Sequence, residues 1–378
     1  MASRNAHGGG SIRQRKNGLW EARYTVGRDP GTGKQIQKSV YGKTQHEVRK
    51  KLASVVSDLD DGVYKEPTKM TVKQWFNIWL NEYTINLKPL TIKSYKATTI
   101  NHIIPKLGRT AISKVTAPQI QKIINDLSKE YSPKTVKNIH GVLHQCFSQA
   151  VILGYIPSNP ANHCKLPKIT KAEIKPLDKT EIPIFLNAIK GSEYEHMLLI
   201  ELFTGLRESE LIGLTWDCVD FENGTLHIYR QWQKLKGGCQ FTTLKNGKTR
   251  LIKPAKIVID TLRIVKNIQS ENRLKAGSAW ENRNNFVFTN ELGEFIRHAT
   301  LSTNFKKLVS ATGMPEMRFH DLRHSYAVVS LQIGDDIKTV QENLGHYSSA
   351  FTLDTYAHVT ESMRKESSDR MNDFIESL

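Results

Sequence analysis

The chain has 378 residues, too many for one ordinary hydrophobic core, so two or three domains are expected. Its formal charge of +17, from 54 basic against 37 acidic residues, points to a polyanionic partner, and the spread of that charge along the chain disfavours a membrane-surface helix. There is no apolar run of bilayer-spanning length and no signal-peptide core in Met1–Ser11, and Cys146, Cys164, Cys218 and Cys239 form no CxxC pair; a cytoplasmic protein with no metal, disulfide framework or membrane partner is therefore expected.

The first segment reads as a small sheet followed by a helix. Asn17-Gly18 is a hairpin turn signal, after which Trp20, Ala22, Tyr24 and Val26 alternate with Glu21, Arg23 and Thr25 at the strand period, leaving one face packed and one free. Thr44 and Glu47 form a capping box, and Val48, Leu52, Val55 and Leu59 follow at helical spacing. Residues 1–53 hold twelve Lys or Arg against three Asp or Glu, with Arg13, Arg15, Arg23, Lys34 and Lys38 in or beside strands. At that density a DNA-reading sheet is favoured over a merely solvated face.

From Met70 the period is helical. Thr71 and Gln74 offer a second capping box, after which Val72, Trp75, Phe76, Trp79, Leu80 and Tyr83 mark one apolar face, read as core rather than as base-stacking platforms. Further helices begin near Thr91, Pro118 and Pro133, the last with Ser132 as N-cap, giving a four-helix module. Its polar faces carry Lys88, Lys93, Lys96, Lys134 and Lys137, which suit phosphates or simply solvent. A Pro- and Lys-rich stretch then reads as a linker, and the remainder mixes helices with strands at Thr225–Gln233 and Cys239–Leu244. Asn246-Gly247 reads as another hairpin turn, with Lys245 at its tip.

Four separated pieces of this last region carry unusual polar groups. TGLRESEL, residues 204–211, contains Arg207 and Glu210. Lys245 sits at the turn. HDLRHSYA, residues 320–327, puts His320 and Arg323 one helical turn apart, and LGHYSSAFTLDTYAHV, residues 344–359, sets His346 ten positions before Tyr356. Any one has an ordinary explanation: a helix ion pair, a turn lysine, a core histidine, a packing tyrosine. Together they supply two guanidiniums, two imidazoles, an ammonium and a phenol, the groups needed to attack a phosphodiester, with guanidinium forks to hold the phosphate oxygens.

The order Arg, Lys, HxxR, His, Tyr in TGLRESEL, LKNGKTR, HDLRHS and LGHYSSAFTLDTY resembles the signature of the tyrosine recombinase, or lambda-type integrase, family, with six positions agreeing in order and local context. The resemblance extends over the chain and is nearest in layout to integrases of phages and conjugative transposons. It implies a multidomain, mainly α fold with small β-sheets: residues 1–64 an arm-site DNA-binding domain of three strands plus a helix, 65–165 a helical core-site DNA-binding bundle, 166–176 a linker, and 177–378 a mixed α+β catalytic domain with a tail helix. It makes Arg207 and Arg323 the phosphate clamp, His320 and His346 its hydrogen-bonding partners, Glu210 a supporting acid, Lys245 the general acid and Tyr356 the nucleophile. The implied activity integrates and excises a mobile element through a 3′-phosphotyrosyl link, without ATP, metal or cofactor. Implied partners are double-stranded DNA at core and arm sites, further copies of the chain in a tetramer, and an excisionase.

The match departs from the family at one place: Asn246 follows Lys245 where a threonine is common, and Lys248 lies close enough to compete for the general-acid role. A free tyrosine has a pKa of about 10, so roughly one in a thousand is ionised near neutrality, and a cationic pocket answers that need. A type IB topoisomerase would use much the same residues, and a non-catalytic DNA-binding protein is the alternative from another class. The tail, Thr360–Leu378, has three basic and five acidic residues, with Met371, Phe374, Ile375 and Leu378 forming an apolar stripe. The family pattern implies that it docks on a neighbouring subunit, the alternative being that it folds back on its own domain.

Overall fold

The computed structural model describes residues 11–60, 69–170, 176–178, 180–313, 317–346, 368 and 371–377. It divides into two compact units, Met1–Thr170 and Lys171–Leu378, the division falling inside the expected linker. No helix among the described residues is long and apolar enough to cross a membrane.

The first unit opens with an antiparallel sheet of β1 (Ser11–Gln14), β2 (Trp20–Arg28) and β3 (Gln35–Gly42), backed by α1 (Gln45–Asp60). Gly18 takes the positive φ that the Asn-Gly turn requires. Ala22 and Tyr24 bury against Val48 and Leu52 of the helix, as the period of two demands. The opposite face is not free as its alternation suggests, because Glu21 on it is only 1% exposed beneath a cover of arginines. Lys38 pairs with Tyr24 across the sheet and so shares the helix-side face, away from the row formed by Arg13, Glu21 and Tyr41; Lys34 lies exposed in the β2–β3 connection.

Four principal helices follow: α2 (Val72–Ile78), α3 (Pro89–Thr98), which runs on into the short α4 (Ile104–Leu107), α5 (Ala117–Glu130) and α6 (Pro133–Ile152). Thr71 and Gln74 close their capping box, and Ser132 accepts from the Thr135 amide with Pro133 at the first turn. Trp75, Phe76, Trp79 and Leu80 enter the core with Ile120, Ile124, Leu143 and Phe147. Tyr83 does not share that burial and is 43% exposed. A π-helical turn over Trp79–Tyr83 adds a residue per turn and rotates the later positions off the apolar stripe. Lys93, Lys96 and Lys134 are exposed and Lys137 half-buried.

The second unit packs α7 (Glu181–Ile189), α8 (Glu195–Thr204), α9 (Glu208–Ile212), α10 (Lys256–Ala276), α11 (His298–Ser310) and the start of α12 (Phe319–Gln332) around a main apolar core, with a smaller apolar cluster between the rest of α12 and α13 (Ile337–Leu344) and with two small antiparallel sheets. The first sheet has the order β4 (Val219–Asp220), β5 (Thr225–Ile228), β8 (Arg250–Ile252); the second pairs β6 (Arg230–Leu235) with β7 (Gly238–Thr243). The expected strand Thr225–Gln233 is therefore two strands broken at Tyr229. Asn246-Gly247 does turn the chain, with Gly247 at φ +68, yet the strands on either side pair with different partners. Lys245 sits in a connection between sheets, not at the tip of a hairpin; the hairpin tip is at Lys236-Gly237. In the tail, Met371, Phe374 and Ile375 are 58%, 58% and 60% exposed, while Leu378 lies outside the described residues.

Candidate active site

The site is built where three chain segments meet. Helix α8 ends at Gly205 in the left-handed conformation, φ +59, and a Cβ there would stand 2.6 Å from the Tyr326 ring and 2.7 Å from Leu344. Glycine is required by both the backbone angle and the close approach of α12 and α13. The tight turn leaves the Gly205 carbonyl aimed at α12, where Arg323 Nη1 donates to it at 2.6 Å. Arg323 Nη2 donates at 2.6 Å to the carbonyl of Leu344, at the end of α13. Arg323 is 2% exposed. Burial and the nearby Arg207 charge pull its pKa below the usual arginine range, which still leaves it cationic at neutrality.

Arg207 is the N-cap of α9. Its Nη1 donates to Glu210 Oε1 at 2.7 Å and its Nη2 to the Gly345 carbonyl at 2.7 Å. Glu210, 1% exposed, also accepts from Arg250 Nη2 at 2.6 Å, and Arg250 Nε donates at 2.7 Å to the Asn343 carbonyl. Burial pushes the Glu210 carboxyl up, but Arg250 and then Arg207 outweigh it and hold its pKa at about 2. One buried carboxylate thus aims two guanidiniums, and both arginines also bind carbonyls at the end of α13. Asn246 Nδ2 adds a third contact, donating to the Gly345 carbonyl at 3.1 Å and drawing the 245–247 turn against the segment that carries His346.

The imidazoles lie beside this cation cluster. His346 is half-buried, and burial followed by the Arg323 and Arg207 charges lowers its pKa to about 3. His320 keeps one edge open to solvent, yet the protein packed around it, then His324, Arg323 and Arg207, lower it to about 4. His320 and His324 meet edge to face, ring centroids 5.0 Å apart. Both His320 and His346 are neutral at pH 7, each with one ring nitrogen able to accept a proton.

Arg207, Arg250, Lys248, Lys338 and His346 are among the side chains lining a cavity of about 350 Å³, wide enough for a phosphodiester and strongly cationic. Of the residues read from the sequence, Arg207, Glu210, Arg323 and His346 are brought together here, with His320 one turn from Arg323. Lys245 is exposed on the adjoining turn, and Lys248 rather than Lys245 lines the cavity. Tyr356 lies outside the described residues. Sequence reasoning missed Arg250, although the strand period puts it on the same side as buried Ile252 while Leu251 points out, 65% exposed. It also missed Glu201 of α8, wholly buried with no hydrogen-bond partner on either oxygen among the described residues, whose pKa burial drives well up.

Comparison with known proteins bears on the family and the fold. A model of the phage integrase family matches residues 175–363, and a model of the phage integrase N-terminal SAM-like domain matches residues 71–128. A tyrosine recombinase XerC-like protein of Caldanaerobacter subterraneus is 31% identical over 95% of this chain and 98% of its own length. The ICEBs1 integrase of Bacillus subtilis is 24% identical over 97% of this chain and 100% of its own. Among solved structures, the Tn1549 transposon integrase in complex with transposon right end DNA superimposes with a TM-score of 0.70 at 23% identity, covering 80% of this chain and all of that one. A lambda integrase tetramer bound to a Holliday junction gives 0.59 at 20% identity, covering 90% and 94%. The fold is shared with both.

Proposed function

The chain belongs to the phage integrase family and is a site-specific DNA recombinase of the tyrosine class, and from that premise we propose how its own residues carry the reaction. Arg207 and Arg323 bind the non-bridging oxygens of the scissile phosphate and stabilise the charge that grows on them in the transition state. The Tyr356 oxygen attacks phosphorus and the bond from phosphorus to the 5′ oxygen breaks. Lys245, on the turn beside the cavity, protonates that oxygen as it leaves, with Lys248, which lines the cavity, as the competing donor, while the phenolic proton passes to a neutral imidazole, His346 or His320. The products are a 3′-phosphotyrosyl link and a free 5′-hydroxyl. Attack by the 5′-hydroxyl of a different strand reverses the steps and frees Tyr356, and the energy of the phosphodiester is conserved without ATP.

The observation that carries this reading is the convergence of Arg207, Arg323 and the Asn246 turn on the carbonyls of Leu344 and Gly345, which sets His346 against two arginines ten residues ahead of Tyr356. The depressed pKa values of both imidazoles leave them unprotonated at neutrality, and the cations that depress them also make them weak bases until the phosphate brings its negative charge into the site. Residues 65–165 read core-site DNA, with Lys93, Lys96, Lys134 and Lys137 on phosphates, and residues 177–378 perform the chemistry. Residues 1–64 read a second, arm-type site with Arg13, Arg15, Arg23 and Lys34, while Lys38, on the helix-side face, is left out of that surface. The protein works in the cytoplasm as a homotetramer on DNA, integrating and excising a mobile element, with an excisionase as accessory partner. Similarity to the lambda integrase, solved as a tetramer, supports that assembly. The exposed apolar side chains of Met371, Phe374 and Ile375 support docking of the tail on a neighbouring copy.

A suicide substrate nicked beside the cleavage site tests the chemistry. Tyr356→Phe is expected to bind it normally and to form no covalent adduct, and an ordinary adduct yield from that variant would remove Tyr356 from the mechanism.

A further inference from the structure

The outer face of the N-terminal sheet holds a feature that the cleavage chemistry does not use. Glu21, the second residue of the central strand β2, is 1% exposed, although α1 packs against the other face of the sheet; what covers the carboxylate is a ring of donors. Arg13 gives Nε at 2.9 Å and Nη2 at 2.8 Å to Oε2. Arg15 gives Nε to Oε2 at 3.0 Å and Nη2 to Oε1 at 3.1 Å. Arg23 gives Nε to Oε1 at 3.4 Å, Ser39 its hydroxyl at 2.8 Å and Tyr41 its hydroxyl at 3.3 Å. The Arg15 guanidinium also stands 4.9 Å from the Tyr41 ring centroid.

Strand register explains the convergence. Arg13, Glu21 and Tyr41 are cross-strand partners in one row, and Arg23 and Ser39 are partners in the next, so all project from one face. The domain's apolar core is on the other face, between the sheet and α1, and does not need this cluster. Three arginines around one carboxylate leave a net charge of about +2 by simple count. Their side chains remain 54%, 44% and 46% exposed, so Glu21 takes the inner edges and leaves the outer edges in solvent. Salt-bridged first to Arg15, the carboxyl is held far below the ordinary range and stays ionised.

We infer that Glu21 is a positioning residue for DNA sequence specificity, holding Arg13, Arg15 and Arg23 as a fixed head that reads guanine edges in the major groove of the second class of site. The inference rests on the proposed reading of residues 1–64 as an accessory-site binder. The chemistry that favours it is geometric. A β-ribbon fits the major groove, and the specific arginine contact there is a bidentate fork onto guanine O6 and N7, which a freely rotating side chain must first be ordered to make. A buried anion that grips each guanidinium by its inner edge does that ordering beforehand. A face meant only for phosphates has no use for it, since phosphate attraction needs charge rather than aim and Glu21 removes charge.

The test selects duplexes from a random 40-base-pair pool with the full-length protein and sequences those retained. Two motif classes are expected. A single class would bring down the accessory-site reading, and the inference with it, before any Glu21 variant is made. With two classes in hand, Glu21→Gln is compared with wild type on the second motif and on a scrambled duplex. The expected result is a loss of roughly ten- to hundredfold in discrimination between the two, the scale of one bidentate base contact. Affinity for the scrambled duplex should hold or rise, because the arginine charges remain and a carboxylate is gone, while the first motif is bound as before. A role confined to folding would weaken both duplexes together. Unchanged discrimination in Glu21→Gln overturns the inference and leaves the accessory-site reading standing. Should that variant lose the N-terminal fold, Ser39→Ala with Tyr41→Phe decides instead: it keeps every charge but frees the carboxylate's aim, and roughly threefold lower discrimination is expected, with no change again counting against.

Discussion

Replacing Arg250 by methionine removes one of the two arginines that pair with the buried Glu210 and leaves Arg207 in place. Arg250 Nη2 lies 2.6 Å from Glu210 Oε2, their side chains are 8% and 0% exposed, and Arg250 Nε satisfies the Asn343 carbonyl. Breaking a buried pair by removing one partner destabilises by about 3–5 kcal/mol. Arg207 still neutralises Glu210 in the variant, so the lower end of that range, about 3 kcal/mol, is the better figure. In a unit the size of Lys171–Leu378 each kcal/mol shifts the midpoint by about 2–4 °C, so calorimetry of the full chain should show that transition lowered by about 6–12 °C. The effect also has a sign in pH. Glu210 is held at about 2 in the fold against an ordinary 4.5, so its contribution is complete above 4.5 and is lost as pH falls toward 2. Arg250→Met raises the folded value, so the gap between variant and wild type should be widest near neutrality and narrow below about pH 4. A gap that is constant from pH 7 to 4, or a shift under 2 °C, would refute the account of Glu210 as a carboxylate stabilised mainly by Arg250.

Lysine at position 207 or 323 should slow cleavage at saturating protein far more than it weakens binding, and Arg323→Lys should lower the melting midpoint more than Arg207→Lys, because each guanidinium serves two acceptors that one ammonium cannot reach together but only that of Arg323 is almost wholly buried. Equal cleavage rates for both variants and wild type would mean the clamp is misassigned. Deleting residues 1–62 should spare cleavage at a core site, remove footprints at a second class of sequence and flatten the salt dependence of binding by roughly 0.9 log unit per lost phosphate contact; identical footprints would count against the domain's role. Truncation after Thr360 should leave half-site binding intact and weaken cooperative binding to a full site in gel-shift titrations, whereas unaltered cooperativity would favour a tail that folds back on its own domain.

Much of this arrangement is legible in the sequence because it is written in local chemistry. The caps at Thr71 and Ser132 and the turns at Asn17-Gly18 and Asn246-Gly247 depend on a few adjacent residues, and all form. Arg207, Arg323 and His346 stand out because each sits in a short polar motif, and the fold joins them. What local chemistry does not carry is pairing at a distance. A turn signal says that the chain reverses, but not that β7 will pair with β6 while β8 pairs with β5. Periodicity predicts a buried Tyr83 only while the helix keeps its pitch, and the π-helical turn changes it. Arg250 looks like an ordinary strand residue until Glu210, distant in sequence, is brought beneath it. Glu21 is read as solvent-facing because alternation counts helices and sheets as cover, and not the arginines of its own strands.

The hydrogen bond from Arg207 to the Gly345 carbonyl ties two functions to one donor. An oxygen of an incoming phosphate that engaged Arg207 Nη2 would compete with the last carbonyl before His346, and the chain beyond, which leads to Tyr356, would lose one of its anchors at the moment the substrate arrives. Asn246 would then be left as the remaining side-chain donor to that carbonyl among the described residues. On the proposed roles, the guanidinium that would bind the phosphate is also the one that holds the chain at Gly345, so occupancy of the site and the loss of that hydrogen bond fall on a single group.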